Sequence, residues 1–289
     1  MKSFIVSGRS GSGKSTMLHA LEDSGFNCID NFPASLLVQH VQSELARPAD
    51  EAADLAVCID VRNTPEELRA LPSYIEQLRQ WGEAPRLIYL DASDSVLVKR
   101  FSDTRRRHPL DHQFNVLKDA IAYEKLLLEH ICEIADLRID TTNRSLHELD
   151  TYTKERIAAQ SGNSISLLFQ SFGYKNGIPV DTDIVFDARC LPNPYWHEEL
   201  REFDGRHPKI KDFLDASDVV DGFFADIRAY LDKWVPIFAA QRRVYITVGL
   251  GCTGGKHRSV YMVERLAAQF KTEYPDVLVR HRESHELAT

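Results

Sequence analysis

Short apolar runs alternate with stretches of helical spacing through the first 150 residues. KSFIVSG at 2–8, FNCID at 26–30, LAVCID at 55–60, RLIYLD at 86–91 and ADLRID at 135–140 read as strands, and their near-continuous apolarity fits strands covered on both faces. Between the first two, Met17, Leu18 and Leu21 share one helical face and Gly25 supplies a stop. This alternation predicts an α/β fold, a parallel sheet with helices on both faces. Such sheets bind ligands at the carboxyl ends of their strands, where Asp60 and Asp91 stand. A closing helix over SLHELDTYTKERIAA and the polar SGNS at 161–164 then divide the chain into domains 1–160 and 165–289.

The second half has its own apolar runs, ISLLFQSFG at 165–173, DIVFDAR at 183–189 and RVYITVGL at 243–250, with a helix-like stretch at 223–240. The run at 243–250 leads into GCTGGKHRS, after which Val260, Val263, Leu266, Ala267 and Phe270 recur at helical spacing. A second α/β domain with its own strand, glycine loop and helix is expected. Phe223, Phe224, Tyr230, Trp234 and Phe238 suit a core or an interface, and a homo-oligomer is expected.

Composition narrows the class. The 289 residues are 43% hydrophobic and 27% charged, enough for two ordinary cores, and the net charge of −8 argues against a surface basic all round. Five cysteines without a CxxC pair, no secretory leader and no 18-residue apolar run point to a cytoplasmic protein away from membranes.

GRSGSGKS at 8–15 matches G-x-x-x-x-G-K-[ST] between a strand and a helix, the context that the motif requires. Gly8, Gly11 and Gly13 let the backbone wrap phosphate, with Arg9, Ser10 and Ser12 between them, so that N–H groups point inward at a helix N-terminus. Lys14 is expected on the β- and γ-phosphates, and Ser15 with Asp60 on Mg²⁺, Asp91 being the alternative acid. Lys99, Arg100, Arg105, Arg106 and Arg107 form either a lid over the transferring phosphate or a solvated basic helix face. DVRN at 60–63 offers a carboxylate, a guanidinium and an amide in sequence. Asp30 or Asp60 could orient a phosphoryl acceptor, but no acceptor signature accompanies them.

The loop at 251–259 is a second anion nest. Thr253 to Lys256 aim backbone N–H groups at one point, and Lys256, His257 and Arg258 add charge at the start of a helix. The same letters spell C-x-x-G-x-x-R-S, in which Cys252 would attack phosphorus, Arg258 grip its oxygens and Ser259 assist the thiolate. A phosphate- or phosphosugar-binding nest, a cysteine phosphatase and a tight structural turn all remain open here.

GRSGSGKS, DVRN, FSDTRRRHPL, SFGYKNGIPVDTDIVFDAR, LPNPYW and GCTGGKHRS, taken together and in this order, resemble the bacterial RNase adapter RapZ family and its YvcJ-type nucleotide-binding relatives. The resemblance implies a P-loop kinase-like N-terminal domain that binds ATP at 8–15 and GTP at Asp60, Val61, Arg62 and Asn63, with NTP hydrolysis through Lys14 and Asp60. It also implies a C-terminal sugar-phosphate domain that senses glucosamine-6-phosphate through Cys252, Thr253, Gly254, Gly255, Lys256, His257, Arg258 and Ser259. Arg189, Asn193 and Tyr195, with Trp196, are expected on the sugar side, core packing being the alternative for the two aromatics. The implied partners are a small regulatory RNA and RNase E, or protein partners alone. Lys271, Arg280 and Arg282 are the expected RNA contacts, although Glu273, Asp276, Glu283 and Glu286 offset them, and Arg242, Arg243 and Lys256 offer another route. His281 and His285 are read as mostly neutral near pH 7.

Overall fold

The computed structural model describes residues 2–48, 53–159, 165–241 and 243–283, so the SGNS linker, Arg242, His285 and Glu286 lie outside it. The chain divides into two compact units, Met1–Ala159 and Gln160–Thr289.

In unit 1, β1 (Ser3–Gly8), β2 (Asn27–Ile29), β3 (Leu55–Cys58), β4 (Arg86–Asp91) and β5 (Leu137–Asp140) form one sheet in the order β2-β3-β1-β4-β5. All its pairings are parallel. The apolar runs fill its centre, because a parallel sheet covered on both faces leaves no side for polar residues. Ile5, Val57, Leu87 and Tyr89 pack on one face against α2 (Leu37–Leu45), α3 (Pro65–Gln80) and α5 (Leu117–Glu133). Phe4 and Val6, on the opposite pleat, are equally buried on the side of α1 (Lys14–Asp23) and α6 (Leu146–Thr153). α3 and α6 start at capping boxes, Thr64 with Glu67 and Ser145 with Glu148, which satisfy the first free N–H groups. α4 (Asp94–Thr104) carries Arg100 and ends where Arg105 adopts a left-handed φ of 52°.

Unit 2 is a four-stranded parallel sheet in the order β7-β8-β6-β9, made of β6 (Ser166–Gly173), β7 (Ile184–Asp187), β8 (Tyr245–Cys252) and β9 (Asp276–His281). α7 (Pro208–Asp215), α8 (Asp218–Ala240) and α9 (Arg258–Phe270) pack into one core with it, Phe169 meeting Phe270 at 5.4 Å between ring centroids. Two elements depart from the sequence reading. α8 begins at Asp218, before the expected 223, and the C-terminal stretch read as a tail contains β9. That strand hides its alternation because its Arg280 and His281 are matched by polar partners on β6: Arg280 donates to Gln170 at 2.9 Å, and His281 lies 2.9 Å from the Ser171 hydroxyl.

Gly8 shows how tightly the first loop is set. Its φ is +141°, and a Cβ there would lie 2.1 Å from the carbonyl oxygen of Leu90 on β4. Gly8→Ala is therefore expected to lower the stability of unit 1 by about 2–4 kcal/mol in urea unfolding, whether or not nucleotide is present.

Candidate functional sites

The loop between β1 and α1 opens into a cavity of about 620 Å³. Ser10 to Ser15, Asp30, Asp60, Arg62, Arg100, Arg106, Arg107, Thr141 and Arg144 line it, whereas Gly8 and Arg9 do not. Arg9 turns away. Its buried guanidinium donates to Asp91 at 2.6 Å, to Asp94 at 2.5 Å and to the Ala92 carbonyl at 2.5 Å. This removes Asp91 as the competing magnesium acid and makes it an anchor for the loop.

Parallel pairing puts the end of β3 beside the end of β1, and the consequence is an ion pair between Lys14 and Asp60 at 3.4 Å. The Lys14 ammonium also donates to the carbonyls of Gly8 and Arg9 at 2.8 and 3.1 Å, so its position is fixed by the loop that it serves. Burial pushes the Asp60 carboxyl up, but Lys14 and then Arg62 outweigh it and hold the group below its ordinary range. Asp60 is thus a charged, buried carboxylate. With the hydroxyl of Ser15 it offers hard oxygen donors on the cavity wall, the chemistry that suits Mg²⁺ held jointly by protein and phosphates.

The stretch 60–63 divides in two. Asp60 and Arg62 face the cavity, while Val61 is buried and Asn63 clamps the neighbouring loop, accepting from Ala34 N at 2.7 Å and donating to the Phe32 carbonyl at 3.1 Å. The lid arginines also separate. Arg100 donates to the Gly11 carbonyl at 3.0 Å and to the Thr141 carbonyl at 2.6 Å, bracing the loop, whereas Arg106 and Arg107 are exposed on the cavity wall. Arg105 is not among the lining residues.

Two supports were not foreseen. Glu124, fully buried on α5, accepts from the Ser10 amide at 2.8 Å and its hydroxyl at 2.7 Å, and lies 3.1 Å from His108. The signal was present: Ala120, Glu124, Leu128 and Ile131 occupy one helical face, and a carboxylate among them needs a buried partner. Arg144, between β5 and α6, lines the cavity and stacks over Tyr152 at 4.2 Å.

In unit 2 the loop after β8 repeats the strand, glycine loop and helix arrangement. Gly255 has a φ of +73°, and a Cβ there would meet Glu283 Oε2 at 2.4 Å and the Gly173 amide at 2.7 Å, while one on Gly254 would meet nothing within 4 Å. The loop's cations fasten the 189–203 segment. Arg258 donates to the carbonyls of Arg189 and Leu191 at 2.9 and 3.1 Å, and Lys256 to that of Arg201 at 2.8 Å. Cys252 is buried with Sγ 3.1 Å from the Ser259 hydroxyl. His257 does not add charge as expected: burial, with Lys256 second, lowers its pKa from 6.5, and it is neutral at pH 7. Arg189 pairs with Asp187 at 2.6 Å and lies 4.0 Å over the Tyr174 ring, and Asn193 accepts from the Tyr195 amide at 3.4 Å. Tyr195 and Trp196 are 54% and 75% exposed, so core packing is not their role.

Of the expected RNA contacts, Arg280 also lies 3.8 Å from Asp181, and Arg282 donates to the Gly177 carbonyl at 3.1 Å. Lys271 is exposed just after α9, and Arg243 pairs with Asp183.

A family profile described as the RapZ-like N-terminal domain matches residues 1–161, and one described as the RapZ C-terminal domain matches residues 165–285. The chain belongs to the RapZ family. A nucleotide-binding protein of Ectopseudomonas mendocina is 50% identical over 283 residues, covering 98% of this chain and 99% of the relative. One from Saccharophagus degradans is 46% identical over 283 residues, with 98% of each covered. Among solved structures, shikimate kinase from Bacteroides thetaiotaomicron matches 53% of this chain and 94% of its own at 11% identity and a TM-score of 0.32. The Deinococcus radiodurans tunicamycin resistance protein matches 55% and 98% at 13% identity and a TM-score of 0.35. Unit 1 of this RapZ-family chain carries the G-x-x-x-x-G-K-[ST] loop between β1 and α1 of its parallel sheet. Among the described residues no helix is long and apolar enough to cross a membrane.

The lowered pKa of His257 has a signed consequence. A histidine held neutral contributes stability that is full above the unfolded value near 6.5 and is lost as pH falls from there towards the folded value. Thermal melts of unit 2 are expected to drop between pH 7 and 5, and His257→Gln to flatten that part of the profile.

Proposed function

We propose that this RapZ-family protein is a regulator that binds ATP or GTP with Mg²⁺ in unit 1 and senses an amino-sugar phosphate, glucosamine-6-phosphate, in unit 2. In this reading it binds a small regulatory RNA, directs its processing by RNase E and so controls amino-sugar synthesis in the cytoplasm as a homo-oligomer. Lys14 and Asp60 support slow NTP hydrolysis that accompanies the regulatory role. The observation that carries the reading is the presence of two strand, glycine-loop and helix nests in two separate units, each with cations at its helix start. Only one of them has the lysine and carboxylate pair suited to a magnesium nucleotide.

In unit 1 the chain's own residues bind and orient. Backbone amides from Gly13 to Ser15 face the phosphate, Lys14 neutralises its charge, and Arg106 and Arg107 close over it from the lid. Ser15 and Asp60 would hold Mg²⁺, which would neutralise charge on the phosphates. In unit 2, Arg258 releases the Arg189 and Leu191 carbonyls to grip the sugar phosphate, which frees the segment bearing Tyr195 and Trp196. Ligand binding thereby favours one partner-binding state.

A second reading, regulation through protein partners without RNA, is favoured by the intramolecular bonds of Arg280 and Arg282, which leave fewer cations for phosphate contacts. RNA affinity that falls steeply with salt supports the first reading, and affinity too weak to measure at 50 mM salt supports the second.

Calorimetric titration of glucosamine-6-phosphate, beside glucosamine and inorganic phosphate, tests the sensor. The sugar phosphate is expected to bind at least about tenfold more tightly than either fragment, Arg258→Lys to weaken it about tenfold, and free phosphate not to appear. Phosphate release abolished by Cys252→Ser would overturn the sensor reading in favour of a phosphatase.

A further inference from the structure

The cavity of unit 1 holds more than a nucleotide's phosphates require. Besides Ser10 to Ser15 and Asp60, a wall of the same cavity carries Asp30, which follows β2, and Arg62, and Arg106 and Arg107 of the lid segment also line it.

Asp30 is the half-exposed acid of this wall, and the chain fixes it from several sides. Arg62 forks between two carboxylates, donating to Asp60 at 2.9 Å through both Nε and Nη2 and to Asp30 at 2.6 Å. Burial pushes Asp30 up, but its bonds to Arg62 outweigh this and hold it below the ordinary carboxylate range, so it stands charged in the cavity. Asn63 pins the loop that follows Asp30 at both Phe32 and Ala34. Asp60 is closed in by Lys14 and Arg62; of the two other carboxylates lining the cavity, Asp30 and Asp103, Asp30 is the one that Arg62 holds in place. The 60–63 stretch is thus divided: Val61 is buried, Asn63 holds the neighbouring loop, and Asp60 and Arg62 belong to the cavity of the 8–15 loop.

We propose that Asp30 and Arg62 form a phosphoryl-acceptor subsite, and that unit 1 transfers the terminal phosphoryl group of its nucleotide to a hydroxyl of a small anionic compound. The proposal rests on the nucleotide reading of unit 1. The acceptor oxygen forms the new O–P bond, the bond from the terminal phosphorus to the β,γ-bridging oxygen breaks, and its electron pair passes to the departing diphosphate, whose charge Lys14 meets. The hydroxyl proton goes to Asp30 and from there to water. Arg106 and Arg107, which close over the transferring phosphate, also favour an acceptor that carries a negative group. A carboxylate acting as general base contributes about 10²–10⁴ in rate.

The test uses the full chain with ATP and Mg²⁺, and glycerol 3-phosphate or glycerol as the acceptor probe, followed by ³¹P NMR. The expected result is a new phosphate ester, formed faster from glycerol 3-phosphate than from glycerol. Asp30→Asn should lower its kcat about 100-fold with the KM for ATP changed less than about threefold. ATP and GTP should compete, with one nucleotide bound per chain. Turnover that yields only orthophosphate with both probes at saturation, an Asp30→Asn rate equal to wild type, or two nucleotides bound per chain with Arg62→Ala removing one, would each overturn the subsite. Wild-type protein that binds no ATP at all would instead sink the nucleotide reading, and the subsite with it.

Discussion

Parallel pairing of β1 with β3 is the constraint from which unit 1 follows. It brings two strand ends together at one rim, one feeding the glycine loop and the other carrying Asp60, and so sets the Lys14 ammonium 3.4 Å from a buried carboxylate. An uncompensated charge at either position would be costly, so each makes the other's burial possible. The supports around the pair have the same character. Arg9 with Asp91, Arg100 with Gly11, and Glu124 with Ser10 each tie a different element to the loop, which holds its amides in place before a ligand arrives.

Unit 2 uses the same sheet logic for a different end. Its loop again follows a central parallel strand and opens a helix. Arg258 and Lys256 donate to main-chain carbonyls of the 189–203 segment, so an anion that draws Arg258 away also loosens that segment and its exposed Tyr195 and Trp196. A guanidinium that leaves neutral carbonyls for a phosphate would exchange hydrogen bonds charged on one side for a bidentate ion pair charged on both. That difference gives a receptor its differential affinity for two states.

Much of this was legible in the chain. The five strands of unit 1 stood out because a doubly covered parallel sheet tolerates few polar positions, and the glycine loops because their letters fall between strand and helix. β9 was missed because Arg280 and His281 look like solvent-facing residues until Gln170 and Ser171 of β6 are placed beside them. Arg9 read as a phosphate ligand from its place in the motif, and only the pairing of β4 with β1 reveals that Asp91 claims it. Glu124 and Arg62 depend on contacts 114 and 32 residues away along the chain, which spacing along a single element cannot report.

The central claim, that the two nests bind different anions in separate units, is tested most directly by measuring ATP and glucosamine-6-phosphate binding in parallel on wild type, Lys14→Ala and Arg258→Lys. The account predicts a crossed pattern, with Lys14→Ala losing ATP while keeping the sugar phosphate and Arg258→Lys doing the reverse. Loss of both ligands in either well-folded variant, or competition between the two ligands for one site, would contradict it.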